Sequence, residues 1–172
     1  MIDIAQLRLE AGIERSLDVP VALPNIIIGG VTYSGPAAPA VARVDITRLI
    51  SGLLMRMRLS STILGPCHRC LEEAAVPVSI DAREYQADHP EKGAEAEEVC
   101  DYLEGDDLDV ATWAADAIVL TLPHKILCRK DCAGLCPSCG TNLNHEVCAC
   151  VPAEGDDRWG ALRGLLKDDS EG

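Results

Sequence analysis

Phenylalanine is absent from this 172-residue chain and aromatic residues make up only 3% of it, so its core has to be aliphatic, built from Ile, Val, Leu and Ala. An apolar share of 48% is that of a folded protein, not a disordered one. Nowhere does the sequence approach the roughly 20 uncharged apolar residues of a membrane span. The opening MIDIAQLRLEAG places Asp3 early and never reaches the apolar run of about 7–15 residues that a secretory signal needs. A cytoplasmic location without membrane contact is therefore expected. Also missing are a phosphate-cradling glycine loop, a nucleophile elbow and an H-E-x-x-H run, so neither catalysis nor a small-molecule substrate is expected.

Positive charge is scarce as well. The net charge of −13 argues against a simple nucleic-acid glove, because backbone binding depends on Lys and Arg displacing phosphate counterions. Eleven acids lie between Glu84 and Asp109 (Glu84, Asp88, Glu91, Glu95, Glu97, Glu98, Asp101, Glu104, Asp106, Asp107, Asp109) against one base, Lys92. Between Ile46 and Leu71 the balance reverses: Arg48, Arg56, Arg58 and Arg69 stand without a single acid. A local basic face on an acidic protein follows.

Hydrophobic periodicity predicts an α+β fold, an antiparallel meander with one main helix and a cysteine-rich C-terminal module. Leu17, Val19, Val21 and Leu23 alternate, with Pro20 and Pro24 favouring a sheet edge. Gly29, Gly30, Gly35, Pro36 and Pro39 mark a loop. Ala42-Val44-Ile46, Met55-Met57-Leu59 and Val76-Val78-Ile80 are apolar sets on alternate positions, which predicts three strands with one wet face. Residues 86–107 read as a solvated acidic loop. Val110, Trp113, Ala114, Ala117 and Ile118 share one helical face over 108–122, with Pro123 as the stop. A short helix near 157–167 would bury Trp159, Leu162 and Leu166. The organisation expected is a sheet-plus-helix region over 1–127 and a cysteine-rich region with the terminal helix over 128–172, packed as one unit.

What the chain has in abundance is cysteine. Eight of its nine cysteines form four close pairs, Cys67/Cys70, Cys128/Cys132, Cys136/Cys139 and Cys148/Cys150. In a reducing compartment such pairs favour metal over disulfides, and two sets of four thiolates would suit one or two structural Zn²⁺ ions. In Cys136-Pro137-Ser138-Cys139-Gly140, Pro137 presets the turn and Gly140 permits a positive φ just after the second ligand. Chain separation joins Cys136/Cys139 to Cys148/Cys150 through an Asn142- and Asn144-bearing turn, leaving Cys67/Cys70 with Cys128/Cys132 as a long-range staple. Crossed pairings, or replacement of a sulfur by His68, His124 or His145, are open on sequence alone. Four thiolates also permit an iron–sulfur cluster, but no spacing favours one. A redox dithiol belongs at a helix start, a context neither C-x-x-C shows. Four-thiolate sites are closed, which argues for a structural rather than a catalytic metal. Glu72 and Glu73 read as a solvated strand entry. Cys100 stands alone among carboxylates that disfavour its thiolate and is expected to be inert.

The residues Cys67-His68-Arg69-Cys70-Leu71-Glu72, Leu120-Thr121-Leu122-Pro123, the run Cys128 to Asn144 (CRKDCAGLCPSCGTNLN), Cys148-Ala149-Cys150 and Asp157-Arg158-Trp159 together resemble the YceD family of bacterial proteins. The likeness is specific from about residue 60 onward; earlier it rests on Ile4-Ala5-Gln6-Leu7. Arg158 follows Asp157 where the family tends to have Asp-Pro-Arg. The resemblance implies a non-catalytic ribosome-assembly factor that promotes accumulation of large-subunit (23S) ribosomal RNA. Its partner would be the precursor large subunit, its RNA, or a ribosomal protein. Candidate RNA contacts are Arg56, Arg58, Arg69, Lys125, Arg129 and Lys130, although Arg56 and Arg58 can equally be arginines that solubilise a sheet face. Two other readings compete: an adaptor that uses its acidic segment to dock on a basic ribosomal protein or enzyme, and, more weakly, a thiol oxidoreductase.

Overall fold

A computed structural model describes residues 1–90 and 98–150. In chain order the strands are β1 (Ile2–Asp3), β2 (Glu14–Val21), β3 (Ile26–Ile28), β4 (Val31–Tyr33), β5 (Ala40–Arg48), β6 (Gly52–Pro66), β7 (Glu73–Ala87), β8 (Leu103–Glu104) and β9 (Asp107–Leu108), followed by the helix α1 (Val110–Thr121). The main sheet is antiparallel, in the order β2-β5-β6-β7. This is the expected α+β meander with one helix among the described residues. Its strands outrun the periodic cores that announce them, because β6 and β7 stay paired from Gly52↔Ala87 to Pro66↔Glu73.

The alternation sorts the two faces. Ala42, Val44, Ile46, Met55, Met57, Leu59, Val78 and Ile80 are all buried. α1 adds Val110, Trp113, Ala114 and Ile118 to this core, and Ala117 is only half-buried. Asp109 caps the helix by accepting hydrogen bonds from the backbone N–H groups of Ala111 and Thr112. At the other end Leu122 turns extended, as a residue before proline must. Pro20 is tolerated because β2 is a sheet edge.

Two segments expected to be loops carry structure. Gly29 and Gly30 form the two-residue turn of the β3–β4 hairpin, with φ of 58° and 80°, the double positive φ that glycine supplies most cheaply. Within 86–107, β7 runs on to Ala87 and β8 pairs with β9, which pairs with β1 through Ile2↔Leu108. Leu103 and Leu108 supply the apolar anchors that the surrounding charge hides in the sequence. Residues 91–97 of that segment, and the helix expected near 157–167 with Trp159, Leu162 and Leu166, lie outside the described residues. The chain forms two compact units, Met1–Cys132 and Ala133–Gly172.

The wet face of the main sheet is a lattice of opposite charges. Asp45, only 7% exposed, accepts from the Ser16 hydroxyl at 2.6 Å and from Arg58 at 2.5 Å, with Arg43 at 3.7 Å. The Ser16 hydrogen bond, opposed by burial and helped by Arg58 and Arg43, holds the Asp45 carboxyl below its ordinary value of 3.8. A depressed folded-state value means that ionised Asp45 stabilises the fold above that ordinary value, and the contribution is lost as pH falls below it. Asp45→Asn should therefore cost about 1–3 kcal/mol at pH 7. In urea melts at pH 7 and pH 3, the gap between wild type and variant should narrow at pH 3; a constant gap would contradict this.

Candidate metal centres

The hairpin of β6 and β7 is closed by six residues, Cys67 to Glu72, beyond the last strand pair Pro66↔Glu73. The Cys67 N–H donates to the Glu72 carbonyl at 2.7 Å and the Leu71 N–H to the Cys67 carbonyl at 3.0 Å, with Leu71 in the left-handed region at φ 64°. The same bonds recur further on: Cys136 N–H to the Thr141 carbonyl at 2.8 Å and Gly140 N–H to the Cys136 carbonyl at 2.9 Å, with Gly140 at φ 75°. Both C-x-x-C pairs are thus the same tight turn. In each, the residue after the second cysteine reverses the chain so that both thiols project from one side. Neither pair opens a helix.

Each turn meets a second cysteine pair. The sulfurs of Cys67, Cys70, Cys128 and Cys132 lie within 4.8 Å of one another, as do those of Cys136, Cys139, Cys148 and Cys150. His68, His124 and His145 belong to neither group. In the first tetrad Cys67 and Cys132 are 3.8 Å apart and Cys70 and Cys128 3.6 Å. A tetrahedron of sulfurs with metal–sulfur bonds of about 2.3 Å has edges of about 3.8 Å, so the spacing fits a single ion at the centre. All the cysteines are free thiols. Each tetrad could hold one metal ion.

Sulfur electrostatics point the same way. Burial pushes the Cys67 thiol up, but N–H groups, led by that of Arg69 at 3.4 Å, outweigh it and bring the thiol down to about 6. Burial drives Cys70 up to about 12. In the second tetrad, backbone N–H groups of Cys139 and Ser138 lower Cys136 to about 6, and the neighbouring sulfurs of Cys139 and Cys136 raise Cys150 to about 12. Four sulfurs this close cannot all be anionic without a cation among them; a divalent ion that takes the place of the protons relieves the repulsion.

The supporting contacts were only partly visible in the sequence. Arg69 donates through Nη1 to the Cys132 carbonyl at 2.8 Å, and the His68 N–H donates to the Ile126 carbonyl at 2.7 Å. The hairpin tip is thereby tied to the segment that follows α1. Around the second tetrad, Thr141 Oγ1 lies 3.2 Å from the Cys139 sulfur, and the Asn142 and Asn144 side chains hold the intervening turn. Among the candidate RNA contacts, Arg56 is held by Asp81 at 2.7 and 2.5 Å and Arg58 by Asp45. Lys125, Arg129 and Lys130 are exposed beside Cys128, with Arg129 3.6 Å from Asp131. Cys100 is fully buried, and burial, reinforced by Glu84 and Asp101, pushes its thiol up.

An antiparallel sheet with one helix among the described residues carries two four-cysteine clusters that could each hold a metal ion. Residues 55–166 match the YceD family, described as "Large ribosomal RNA subunit accumulation protein YceD", and the chain belongs to that family. An uncharacterised protein of Mycobacterium tuberculosis is 30% identical over 175 residues, covering 99% of this chain and 83% of its own length. An uncharacterised protein of Mycobacterium leprae is 25% identical, covering 77% of this chain and 61% of its own. A maize protein described as a chloroplastic large ribosomal RNA subunit accumulation protein YCED homolog is 24% identical, covering 70% of this chain and 52% of its own. No solved structure matches.

Two predictions follow from the tetrad geometry. Stripping metal with a strong chelator, or Cys70→Ser, should lower the thermal midpoint of Met1–Cys132 by ten degrees or more, roughly the effect of a few kcal/mol on a domain of this size; an unchanged melt would refute it. Leu71 pays for a left-handed backbone while 67% exposed. Leu71→Gly should therefore be neutral or stabilising by up to about 1 kcal/mol, and Leu71→Val clearly destabilising, in denaturant melts of the metal-loaded protein.

Proposed function

We propose that the protein is a non-catalytic ribosome-assembly factor that promotes accumulation of large-subunit (23S) ribosomal RNA in the cytoplasm, with structural Zn²⁺ in both tetrads. The observation that carries the reading is family membership joined to two closed all-thiolate clusters. Soft, tetrahedrally spaced sulfurs favour zinc, and a site with four protein ligands leaves no position for a reactive water. Cys67, Cys70, Cys128 and Cys132 would hold one ion and Cys136, Cys139, Cys148 and Cys150 the other. What zinc supplies is a rigid cross-link; the residues do the rest. Lys125 and Lys130 are the favoured phosphate contacts, since Arg56, Arg58 and Arg129 already face carboxylates and Arg69 braces the Cys132 carbonyl.

A second reading keeps the ribosomal particle but changes the contact. Asp101, Glu104, Asp107 and Asp109 line one depression next to Met1, a surface suited to a basic ribosomal protein. Depletion of the protein should lower mature large-subunit RNA relative to small-subunit RNA, and Lys125→Ala with Lys130→Ala should fail to restore it. Affinity capture before and after ribonuclease separates the readings: a particle lost with the RNA supports direct contact, and partners that survive support the acidic surface. Normal subunit profiles on depletion would refute both.

A further inference from the structure

The two tetrads differ in what surrounds them. Cys67, Cys70 and Cys132 are buried and Cys128 is half-buried, at the tip of the long hairpin, with partners 58 and 65 residues apart in the chain. In the second tetrad only Cys136 is buried; Cys148 is half-buried, and Cys139 and Cys150 are exposed. Between residues 133 and 150 only Gly134 and Cys136 are buried, so among the described residues of that stretch no apolar layer closes over the sulfurs. The Cys139 and Cys150 sulfurs lie within 4.8 Å of one another.

We propose that Cys139 and Cys150 are a site of reversible oxidation by hydrogen peroxide or a related hydroperoxide, and that their joining into a disulfide discharges the metal of the second tetrad alone. The inference rests on the metal reading given above. The Cys139 thiolate attacks the peroxide O–O bond, keeping one oxygen as a sulfenic acid while the other leaves as hydroxide. The Cys150 thiolate then displaces hydroxide from that sulfur and the S–S bond forms. Two thiolates lose two electrons, the peroxide gains them, and two protons from solvent turn the hydroxides into water. With two of four ligands withdrawn, the cation is held by Cys136 and Cys148 only and dissociates. The first tetrad is shielded from the same attack by burial, because an oxidant must reach a thiolate to react with it.

Full-length metal-loaded protein is the right material for the test. Total metal is measured first, by elemental analysis, and peroxide is then added while a chromophoric chelator reports release and timed alkylation with peptide mass mapping reports each cysteine. One of two equivalents should be released, with Cys139 and Cys150 oxidised at least about tenfold faster than Cys67, Cys70, Cys128 or Cys132. Dithiothreitol with added zinc should reverse it. Buried Cys100 serves as the unfolding control and should stay unmodified. Release of both equivalents together, modification of Cys100 in step with release, or a second tetrad no more reactive than the first would overturn the proposal while leaving the metal reading intact. Protein that binds no metal would overturn both.

Discussion

The fold brings Cys67 and Cys70 together with Cys128 and Cys132, four sulfurs within 4.8 Å of one another, where a metal ion would cross-link two distant parts of the chain. Each pair sits where the chain would otherwise be loose. The first pair closes a hairpin whose strands each have 15 residues, about 50 Å at the usual rise, and β5 accompanies β6 only as far as Leu59. Beyond that point the hairpin is a two-stranded arm, and two-stranded ribbons are marginal in water without support. The second pair follows a helix that ends before Pro123. Joining them fixes both ends at once. If a metal bridge acts like a covalent cross-link, closing a loop of 65 residues removes roughly 4 kcal/mol of unfolded-state entropy, a large share of the stability of an ordinary domain.

The arm has a second support that contains no sulfur. Tyr33 on β4 packs against β6 where Gly65 has no side chain: a Cβ there would stand 2.2 Å from the tyrosine ring. The Tyr33 hydroxyl donates to the Pro66 carbonyl at 3.3 Å, and the backbones of Ser34 and Leu64 exchange hydrogen bonds at 2.9 and 2.8 Å. The β3–β4 hairpin is thus a prop under the arm, close to the Cys67–Cys70 turn. In a protein without phenylalanine, one of only three tyrosines is placed here, 6% exposed.

Much of this was legible in the sequence, for physical reasons that also explain what was hidden. Strict alternation at Ala42-Val44-Ile46 and Met55-Met57-Leu59 announces strands because one face is buried and the other wet, and the 3.6-residue spacing from Val110 to Ile118 announces α1 for the same reason. The alternation weakens where burial does: β6 beyond Leu59 passes through Ser60, Ser61 and Thr62, so its full length was not readable. The β3–β4 hairpin was masked because Ile26, Ile27 and Ile28 show no alternation and the glycines read as breakers rather than as a turn. β8 and β9 were masked by eleven acids, since each needs only one leucine to join the sheet. Spacing favoured the grouping of the cysteines but left crossed pairings and a histidine ligand open, and Arg69 reaching the Cys132 carbonyl and Leu71 standing where Gly140 stands in the second turn needed three-dimensional structure.

The comparison of those two turns sharpens what each tetrad is for. Backbone bonds and φ angles are shared, so local geometry does not distinguish them; what differs is everything around them. The first turn has glycine's conformation without glycine, and a leucine in that position is tolerable only where neighbouring contacts, here Arg69 and the Ile126 carbonyl, hold the backbone regardless. The second uses Gly140 and adopts the same conformation at little cost, with Thr141, Asn142 and Asn144 holding the turn around it. One backbone geometry is thus reached in two ways, by contacts from the neighbouring segment in the first turn and by the backbone freedom of glycine in the second.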